Sequence, residues 1–365
     1  MTQEKICIDA RLYGVSHTGI GRYLENLLEN LPQEAQKDIV LLVSPDQFNQ
    51  SKLSGFQKIR VYSHPYSFFS QIEIPYWLFR IRPRLLHVPH FTIPLLWPGK
   101  IIVTIHDLIK NISTGKETTT RSPFLYKLKY YSYLFIVQAA VRRAVRIIVP
   151  TQYWLEKLGE IYPQSKGKTL VTYEGVNRDV FTNDSVVQPE KPLYIIYTGN
   201  LYPHKNFPLL LSVLKLIPDL RLKVVCSRSV FLNRAKSLVD SHKLGDRVDF
   251  MGFVSDSRLK ILYQKSLAFV TPALIEGFGL PGLEAMSSGT PVIAARASCL
   301  PEVYADAALY FDPHSAPDLS KQINDLSSSS ELRQKLITSG LKRVSQFSWS
   351  KMGQETWKIY QSVLH

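Results

Sequence analysis

Short apolar runs rich in β-branched residues alternate with segments of helical pattern, and this alternation constrains the fold more than any other feature. Such runs are typical of strands that are buried on both faces of a parallel sheet. In the first half of the chain they are KICID, DIVLLVS, KIRVYS, LLHVP, KIIVTIHDL and RIIVP. A helical segment, TQYWLEKLGEIY, and one more short strand, TLVTYEG, follow them. The pattern therefore predicts an α/β fold with parallel sheets.

The alternation breaks over the polar stretch VNRDVFTNDSVVQPEK, which we interpret as a linker, and then restarts. The later strands are LYIIYTG, LKVVCS, RVDFMGF, LAFVTP, TPVIAA and ALYF, whereas SSSS at 327–330 is interpreted as a loop. Because 365 residues exceed what one core usually serves, we expect two Rossmann-like domains, 1–176 and 177–345, whose sheets face each other across a cleft. The amphipathic segment 346–365 is predicted to be a helix that returns to the first domain.

The most informative segment is TPALIEGFGLPGLEAMSSGTPVIA. A strand leads into a glycine-bearing loop, and a helix begins near Pro281, because proline is favoured at the first helical position. Gly277 and Gly279 let the backbone approach a ligand, and the free amides of the helix start favour an anion. Glu276 and Glu284 would repel that anion unless they accept hydrogen bonds from hydroxyl groups, which a sugar and a ribose supply.

This segment resembles the signature of glycosyltransferase family 4, in which two glutamates are separated by seven residues within EGFGLPGLEAM. The resemblance implies a GT-B fold, in which Glu276 binds hydroxyls of the transferred sugar and Glu284 holds the ribose of the nucleotide. Val254 is assigned to the same donor-binding set. The resemblance also implies backbone contacts to sugar and phosphate from Gly277, Phe278, Gly279 and Leu280.

A second segment, YTGNLYPHKN, resembles the family's pattern of a glycine, a short loop and a Lys-Asn pair. This similarity implies that Gly199 and Asn200 line the donor site and that Lys205 neutralises the donor diphosphate. The commonest family pattern carries an arginine near the start of this loop or directly before the lysine. This chain has Asn200 and His204 there, and the sequence leaves open whether either of them replaces the arginine.

The first domain carries two further resemblances to the family. DARLYGVSHTGIGRYLENLL is similar to the opening strand and glycine loop, which places Gly19 and Gly21 near donor and acceptor. KIIVTIHDL ends with His106 and Asp107, where the family carries an active-site histidine. The implied role of His106 is a hydrogen bond to the donor sugar at the reacting centre, and Asp107 is assigned to the acceptor side of the cleft.

The resemblance implies an enzyme that transfers a hexose from a nucleotide sugar with retention of configuration and without a metal or other cofactor. The chain contains no Asp-x-Asp pair, which fits a metal-independent reaction. The similarity is closest to bacterial enzymes that build surface polysaccharides, often mannosyltransferases that use GDP-mannose. We therefore expect GDP-mannose as donor, with a UDP-linked sugar left open, and a glycan or polyprenyl-diphosphate-linked sugar as acceptor.

Much of the net charge of +14 lies in the first half of the chain. Arg80, Arg82 and Arg84 lie close together, and basic residues alternate with aromatic ones between Arg121 and Arg146. Such a pattern is typical of a solvated helix face, a nucleic-acid site or an anionic membrane surface. Because no nucleic-acid motif is recognisable and the loop glutamates would repel a phosphate backbone, we expect no nucleic acid and favour the membrane surface.

The three cysteines are far apart, and the chain shows no signal peptide and no apolar run of bilayer length. These features predict a cytoplasmic protein that associates peripherally with the inner face of the plasma membrane. A Rossmann oxidoreductase, suggested by TGIGRYL, is a weaker interpretation, because the glycines come about eight residues after the strand end. The sequence also leaves open a non-catalytic sugar- or nucleotide-binding protein and a phosphorylase or epimerase of the same architecture.

Overall fold

A computed structural model of the protein describes residues 5–14, 18–114, 123–181, 188–226 and 230–365. The chain divides into two compact units. The first consists of Met1–Leu108, Arg121–Gly175 and Trp349–His365, and the second of Ile109–Thr120 and Val176–Ser348. Each unit contains one parallel sheet, so the predicted α/β class is confirmed.

The sheet of the first unit has the order β3-β2-β1-β4-β5-β6-β7, with every described pairing parallel. Its strands are β1 (Ile6–Asp9), β2 (Ile39–Val43), β3 (Gln57–Arg60), β4 (Leu85–Val88), β5 (Lys100–Thr104), β6 (Arg146–Val149) and β7 (Thr169–Val171). Every residue of β1, β2 and β4 is buried, as the apolar runs predict for strands covered on both faces. The strand order reverses between β1 and β4, and ligands bind at such a point in sheets of this type.

The sheet of the second unit repeats this arrangement with the order β10-β9-β8-β11-β12-β13. Its strands are β8 (Tyr194–Thr198), β9 (Arg221–Val225), β10 (Val248–Gly252), β11 (Ala268–Thr271), β12 (Val292–Ala295) and β13 (Ala308–Phe311). All described pairings are again parallel, and the order reverses between β8 and β11. The loops that follow these two strands are therefore the expected ligand-binding loops.

Helices connect the strands in both units. In chain order they are α1 (Thr18–Asn30), α2 (Ser70–Ile81), α3 (Ile109–Ile112), α4 (Pro123–Arg143), α5 (Gln152–Ile161), α6 (Arg178–Phe181), α7 (Phe207–Leu216), α8 (Leu232–Ser241), α9 (Asp256–Lys265), α10 (Leu280–Ser287), α11 (Leu300–Tyr304), α12 (Ala316–Ser328), α13 (Ser330–Val344) and α14 (Trp349–Leu364). Within the described part of the chain, none of these helices is both long and apolar enough to cross a membrane.

Helix α14 packs against α1 in the first unit. A Cβ atom added at Gly353 would lie 2.5 Å from the carbonyl oxygen of Asn30, so this glycine allows the two helices to approach closely. Two basic side chains hold the end of α14: Lys100 donates to the carbonyl of Val363 at 2.6 Å, and Arg84 donates to that of Leu364 at 2.8 Å. These bonds cap carbonyl groups that a helix end leaves unpaired.

Two segments expected to lie in irregular structure contain helix instead. The stretch interpreted as a linker includes α6, whose Phe181 is buried with its ring 6.3 Å from that of Tyr263 on α9. Burial of this aromatic ring outweighs the polar composition around it. The serine run at 327–330 ends α12 and begins α13, because the Ser329 hydroxyl caps α13 by accepting from the Leu332 N–H at 3.1 Å.

Candidate functional site

The loops after β8 and β11 meet at the reversal point of the second sheet. The Leu274 N–H donates to the His204 carbonyl at 2.8 Å and joins the two loops directly. The first loop ends in a short 3₁₀ helix, Pro203–Lys205, followed by Asn206 in the left-handed conformation that asparagine tolerates. Sequence and topology together therefore place Lys205 beside the loop 272–279, which carries Glu276 and is called the glutamate loop below.

Lys205 and Glu276 form an ion pair at the centre of this arrangement. The lysine Nζ lies 2.6 Å from the glutamate Oε1, and the two side chains are only 12% and 16% exposed. The ammonium group therefore points into the loop rather than into bulk solvent. The charge of Lys205 would attract an anion that binds beside this loop, because solvent screens a partly buried charge only weakly.

The glutamate loop is held in place by contacts from the chain that follows β12. The Glu276 N–H donates to Ser298 Oγ at 3.0 Å, and Cys299 Sγ donates to the Glu276 carbonyl at 3.3 Å. The buried Tyr304 hydroxyl donates to the Gly279 carbonyl at 2.7 Å. Burial raises the pKa of Cys299 and of Tyr304, so both stay neutral and act as donors. This support fixes the loop before any ligand binds.

Helix α10 begins at Leu280, with Pro281 in its first turn, as the sequence predicts. Gly279 precedes it at a φ of 97°, a conformation that favours glycine. A Cβ atom at Gly282 would lie 2.3 Å from the Tyr304 hydroxyl, so this position also excludes a side chain. Pro281 has no N–H and the Gly282 N–H donates to the Gly279 carbonyl at 3.2 Å, so this helix start favours a phosphate mainly through the helix dipole.

The remaining donor-site candidates differ in exposure. Glu284 is 4% exposed within α10, and Phe278 is buried edge-to-face against Phe347 with centroids 5.6 Å apart, so its ring serves the core. Gly277 is half-buried at the turn. Val254 is half-buried two residues beyond the edge strand β10.

Asn200 and His204 do not supply the cation that the commonest family pattern has near Lys205. Gly199 has a φ of 146°, and the next residue uses its side chain locally: Asn200 Oδ1 accepts from the Tyr202 N–H at 3.3 Å. Burial lowers the pKa of His204 to about 4, and the neighbouring charge of Lys205 contributes to this decrease. His204 is therefore neutral near pH 7, and Lys205 carries the positive charge of this loop.

His106 lies at the corresponding edge of the first sheet, two residues beyond β5. Its Nδ1 is 3.2 Å from Glu174 Oε1, and the two side chains are 12% and 8% exposed. The ring of Tyr23 packs edge-on against the imidazole at 4.7 Å. Asp107 follows at a half-buried position, and its charge raises the pKa of Tyr66 as a contribution secondary to burial. Glu174 was not among the predicted site residues, although a carboxylate near the end of the predicted strand TLVTYEG was a usable signal.

A chain of buried hydrogen bonds connects α14 to this edge. His87 on β4 contacts the Tyr360 hydroxyl through Nδ1 at 2.5 Å and Thr104 Oγ1 through Nε2 at 2.9 Å. Thr104 in turn lies 3.2 Å from the Tyr23 hydroxyl, and Tyr23 contacts His106. Burial lowers the pKa of His87 to about 3, so the ring is held neutral.

The two glycines singled out near the start of α1 have different surroundings. A Cβ atom at Gly21 would lie 1.9 Å from the carbonyl oxygen of Gly14, which is backbone and cannot rotate away. A Cβ atom at Gly19 would meet no described atom within 4 Å. Gly21 is therefore required for the close approach of α1 to the preceding loop, whereas the surroundings of Gly19 leave space for a side chain.

We expect Gly21→Ala to lower the free energy of unfolding of the first unit by about 1–3 kcal/mol, the usual cost of overpacking. Gly19→Ala is the matched control and should be neutral or stabilising by up to about 1 kcal/mol, because alanine is the better helix residue. Urea unfolding followed by tryptophan fluorescence measures both, since the tryptophans all belong to the first unit: Trp77, Trp97, Trp154, Trp349 and Trp357. Equal midpoints for the two variants would contradict the assignment.

Two family models match the chain in succession. The model described as Glycosyltransferase Family 4 matches residues 17–180, and the model described as Glycosyl transferases group 1 matches residues 181–343. The chain belongs to glycosyltransferase family 4. This glycosyltransferase is therefore an enzyme that transfers a hexose from a nucleotide sugar with retention of configuration, as the resemblance in the sequence implies.

Named relatives of the glycosyltransferase include two bacterial proteins. The O-antigen chain mannosyltransferase RfbU of Salmonella typhimurium is 28% identical over 321 residues, which cover 82% of this chain and 84% of the relative. The O-antigen chain mannosyltransferase B of Escherichia coli is 33% identical over 173 residues, which cover 46% of this chain and 45% of the relative.

Solved structures agree with the fold of the glycosyltransferase. The sucrose-phosphate synthase from Thermosynechococcus elongatus superposes with a TM-score of 0.78 at 18% identity, over 99% of both chains. At this identity the likeness shows the fold alone. The prediction of the GT-B fold class is confirmed.

Proposed function

We propose that this glycosyltransferase transfers mannose from GDP-mannose to a glycan carried on a polyprenyl diphosphate. The observation that carries the donor part is the Lys205–Glu276 pair beside the start of α10, which offers a cation, a hydroxyl acceptor and the positive end of a helix dipole together. The choice of mannose is supported by the two relatives described above, both O-antigen chain mannosyltransferases. The donor site is assigned to residues 177–345 and the acceptor side to residues 1–176.

The proposed reaction exchanges one bond at the anomeric carbon. The bond to the diphosphate oxygen breaks, and the acceptor hydroxyl oxygen forms the new bond on the same face of the sugar. The proton of that hydroxyl passes to the departing diphosphate, so the products are GDP and the extended glycan. Lys205 and the amides of α10 stabilise the charge that develops on the leaving oxygen.

The remaining residues of the proposed donor site bind hydroxyl groups. Glu276 accepts from hydroxyls of the transferred sugar while it stays in contact with Lys205, and Glu284 accepts from the ribose. The loop that carries Glu276 is already fixed by Ser298 and Tyr304, so little ordering is needed when the donor binds.

Thermal-shift screening with GDP-, UDP- and dTDP-sugars tests the choice of donor. We expect GDP-mannose to raise the melting temperature by a few degrees, since a ligand at about 100 times its Kd adds roughly 2.7 kcal/mol of stability. GDP and free mannose, assayed separately, show which part of the donor is recognised. A shift with UDP-sugars alone would contradict the proposed donor and leave the glycosyltransferase assignment intact.

The proposed acceptor is supported by an apolar stripe on α4, a helix of the first unit. Phe124, Leu128, Tyr131 and Phe135 recur at helical spacing, and each is more than half exposed. Within the same basic stretch Tyr133 is buried instead and packs on Phe91, so only one face of the helix is available. Exposed apolar residues at this spacing beside lysines suit the interface of an anionic bilayer.

Helix α2 and the residue directly before it add a second exposed row to the same unit: Phe69, Ile72, Tyr76 and Phe79. The loop that carries the exposed Leu96 contacts both helices. Trp97 of this loop packs against Phe79 of α2, and Arg143 of α4 donates to the Leu95 carbonyl at 2.7 Å. The exposed rows of α4 and α2, together with Leu96, form one surface. We propose that this surface holds the enzyme at the inner face of the plasma membrane, where a lipid-linked acceptor is accessible.

Liposome flotation tests this surface. Reversing the charge of two exposed lysines of α4, with Lys127→Glu and Lys129→Glu, should weaken binding to anionic vesicles at least about tenfold, since each basic residue near such a surface contributes about 1 kcal/mol. Replacing Phe124 and Phe135 by serine should also weaken it, whereas Phe253→Ser, an equally exposed aromatic of the second unit, serves as the control. Vesicle binding that is independent of lipid charge and unchanged in these variants would contradict the membrane proposal.

A further inference from the structure

The carboxylate of Glu174 lies at the same sheet edge as His106 and is unused by the roles assigned so far. Its residue follows β7, and His106 follows β5, with β6 paired between the two strands. Because the strands are parallel, their carboxyl ends lie at one edge, and the two side chains meet with an Nδ1–Oε1 distance of 3.2 Å. Glu174 is 6% exposed, so its negative charge is largely removed from water.

The other nitrogen of the imidazole is left without a partner. His106 Nε2 is buried and makes no hydrogen bond to any described residue. A buried polar atom without a partner typically costs about 1–3 kcal/mol, so a ligand hydroxyl that donates to this nitrogen would relieve that cost. The edge-on contact with Tyr23 limits rotation of the ring and keeps this nitrogen at its position.

We propose that Glu174 is the positioning residue of His106, and that it holds the proton on Nδ1 so that Nε2 accepts a hydrogen bond from a sugar hydroxyl. A carboxylate is an acceptor only, so the ring nitrogen that faces it must carry the proton. In the neutral ring the second nitrogen then carries the lone pair. A sugar hydroxyl that donates to Nε2 supplies the missing partner. This inference rests on the proposed function and on the contact between His106 and the donor sugar that the family resemblance implies.

The tautomer can be measured without an assay of activity. In protein labelled with ¹⁵N at histidine, the neutral ring of His106 should show a protonated Nδ1 and an unprotonated Nε2, with assignment by the His106→Gln variant. In Glu174→Gln that signal should move toward a mixture of tautomers, because an amide can accept from or donate to Nδ1. An unchanged spectrum in Glu174→Gln would overturn the positioning role.

Steady-state kinetics separates the two linked claims. We expect Glu174→Gln to lower kcat/KM about 10–100-fold, by analogy with the loss found when a group that orients a metal-bound histidine is removed. Glu160→Gln, which removes an exposed carboxylate of the same unit, is the matched control. In a His106→Ala background Glu174→Gln should have no further effect, because the two residues act through one interaction.

The other possible outcomes distinguish a failure of the role of His106 from a failure of the role of Glu174. If His106→Ala keeps normal turnover, the role of His106 that the family resemblance implies fails, whatever the spectrum shows. If His106→Ala loses turnover and Glu174→Gln loses it additively, Glu174 acts independently and the positioning role is wrong. Circular dichroism of each variant verifies folding, and Glu174→Asp, which keeps the carboxylate on a shorter chain, should retain the tautomer while lowering turnover less than Glu174→Gln.

Discussion

Replacement of Lys205 by alanine is expected to lower kcat about 100- to 1,000-fold, the usual cost of removing one preorganised group that stabilises a developing charge. The reason is the position of the ammonium group. It is 12% exposed beside the helix start, and burial keeps the neighbouring His204 neutral, so this loop offers no second cation in the described residues. The departing diphosphate would then face the amides of α10 alone.

Comparison with three further variants shows whether this loss comes from the charge itself. Lys205→Arg keeps the charge and should retain part of the turnover, whereas Lys215→Ala, on the exposed side of α7, should be close to the wild type. Lys205→Ala also leaves the carboxylate of Glu276 without its 2.6 Å partner, so the double variant Lys205→Ala/Glu276→Gln should recover stability but not turnover. Near-normal kcat in Lys205→Ala would contradict the proposed donor site.

The strand pattern predicted the architecture well because it depends on a strong local signal. Each apolar run expected to form a strand does so, and burial of β1, β2 and β4 on both faces explains why alternation is absent there. Local signals also placed the helix start after Gly279, where a glycine and a proline stand close together. Such features depend only on residues that are neighbours in the sequence, so they can be recognised without the folded structure.

Properties that depend on distant residues were not predictable in this way. The contact of Glu174 with His106 joins strands that are separated in the sequence, and the neutral state of His204 follows from burial by the folded loops. The clash that requires glycine at position 21 involves a carbonyl of the preceding loop. In each case the chemistry of the residue was visible, but its partner or its degree of burial was not.

Acidification is expected to destabilise the first unit through His87. The folded pKa is about 3, whereas the unfolded side chain titrates near 6.5, so between these values the unfolded chain binds a proton that the folded unit excludes. The stabilising contribution is therefore complete above pH 6.5 and is lost as the pH falls toward 3. The expected slope is about 1.4 kcal/mol per pH unit, or about 2 kcal/mol between pH 6.5 and 5.

The protonated ring is disfavoured because it is buried, and the hydroxyls of Tyr360 and Thr104 that face its two nitrogens bring no carboxylate to balance its charge. Urea unfolding at pH 7.5 and 5.0, followed by tryptophan fluorescence, measures the effect in the first unit alone. His87→Gln should be less stable than the wild type at pH 7.5 but should lose about 2 kcal/mol less on acidification. His314→Gln, at an exposed position of the second unit, should leave the pH dependence unchanged. If His87→Gln loses as much stability on acidification as the wild type, other groups cause the acid sensitivity. Protonation of His87 would then not be what destabilises the buried hydrogen-bond chain from α14 to β5.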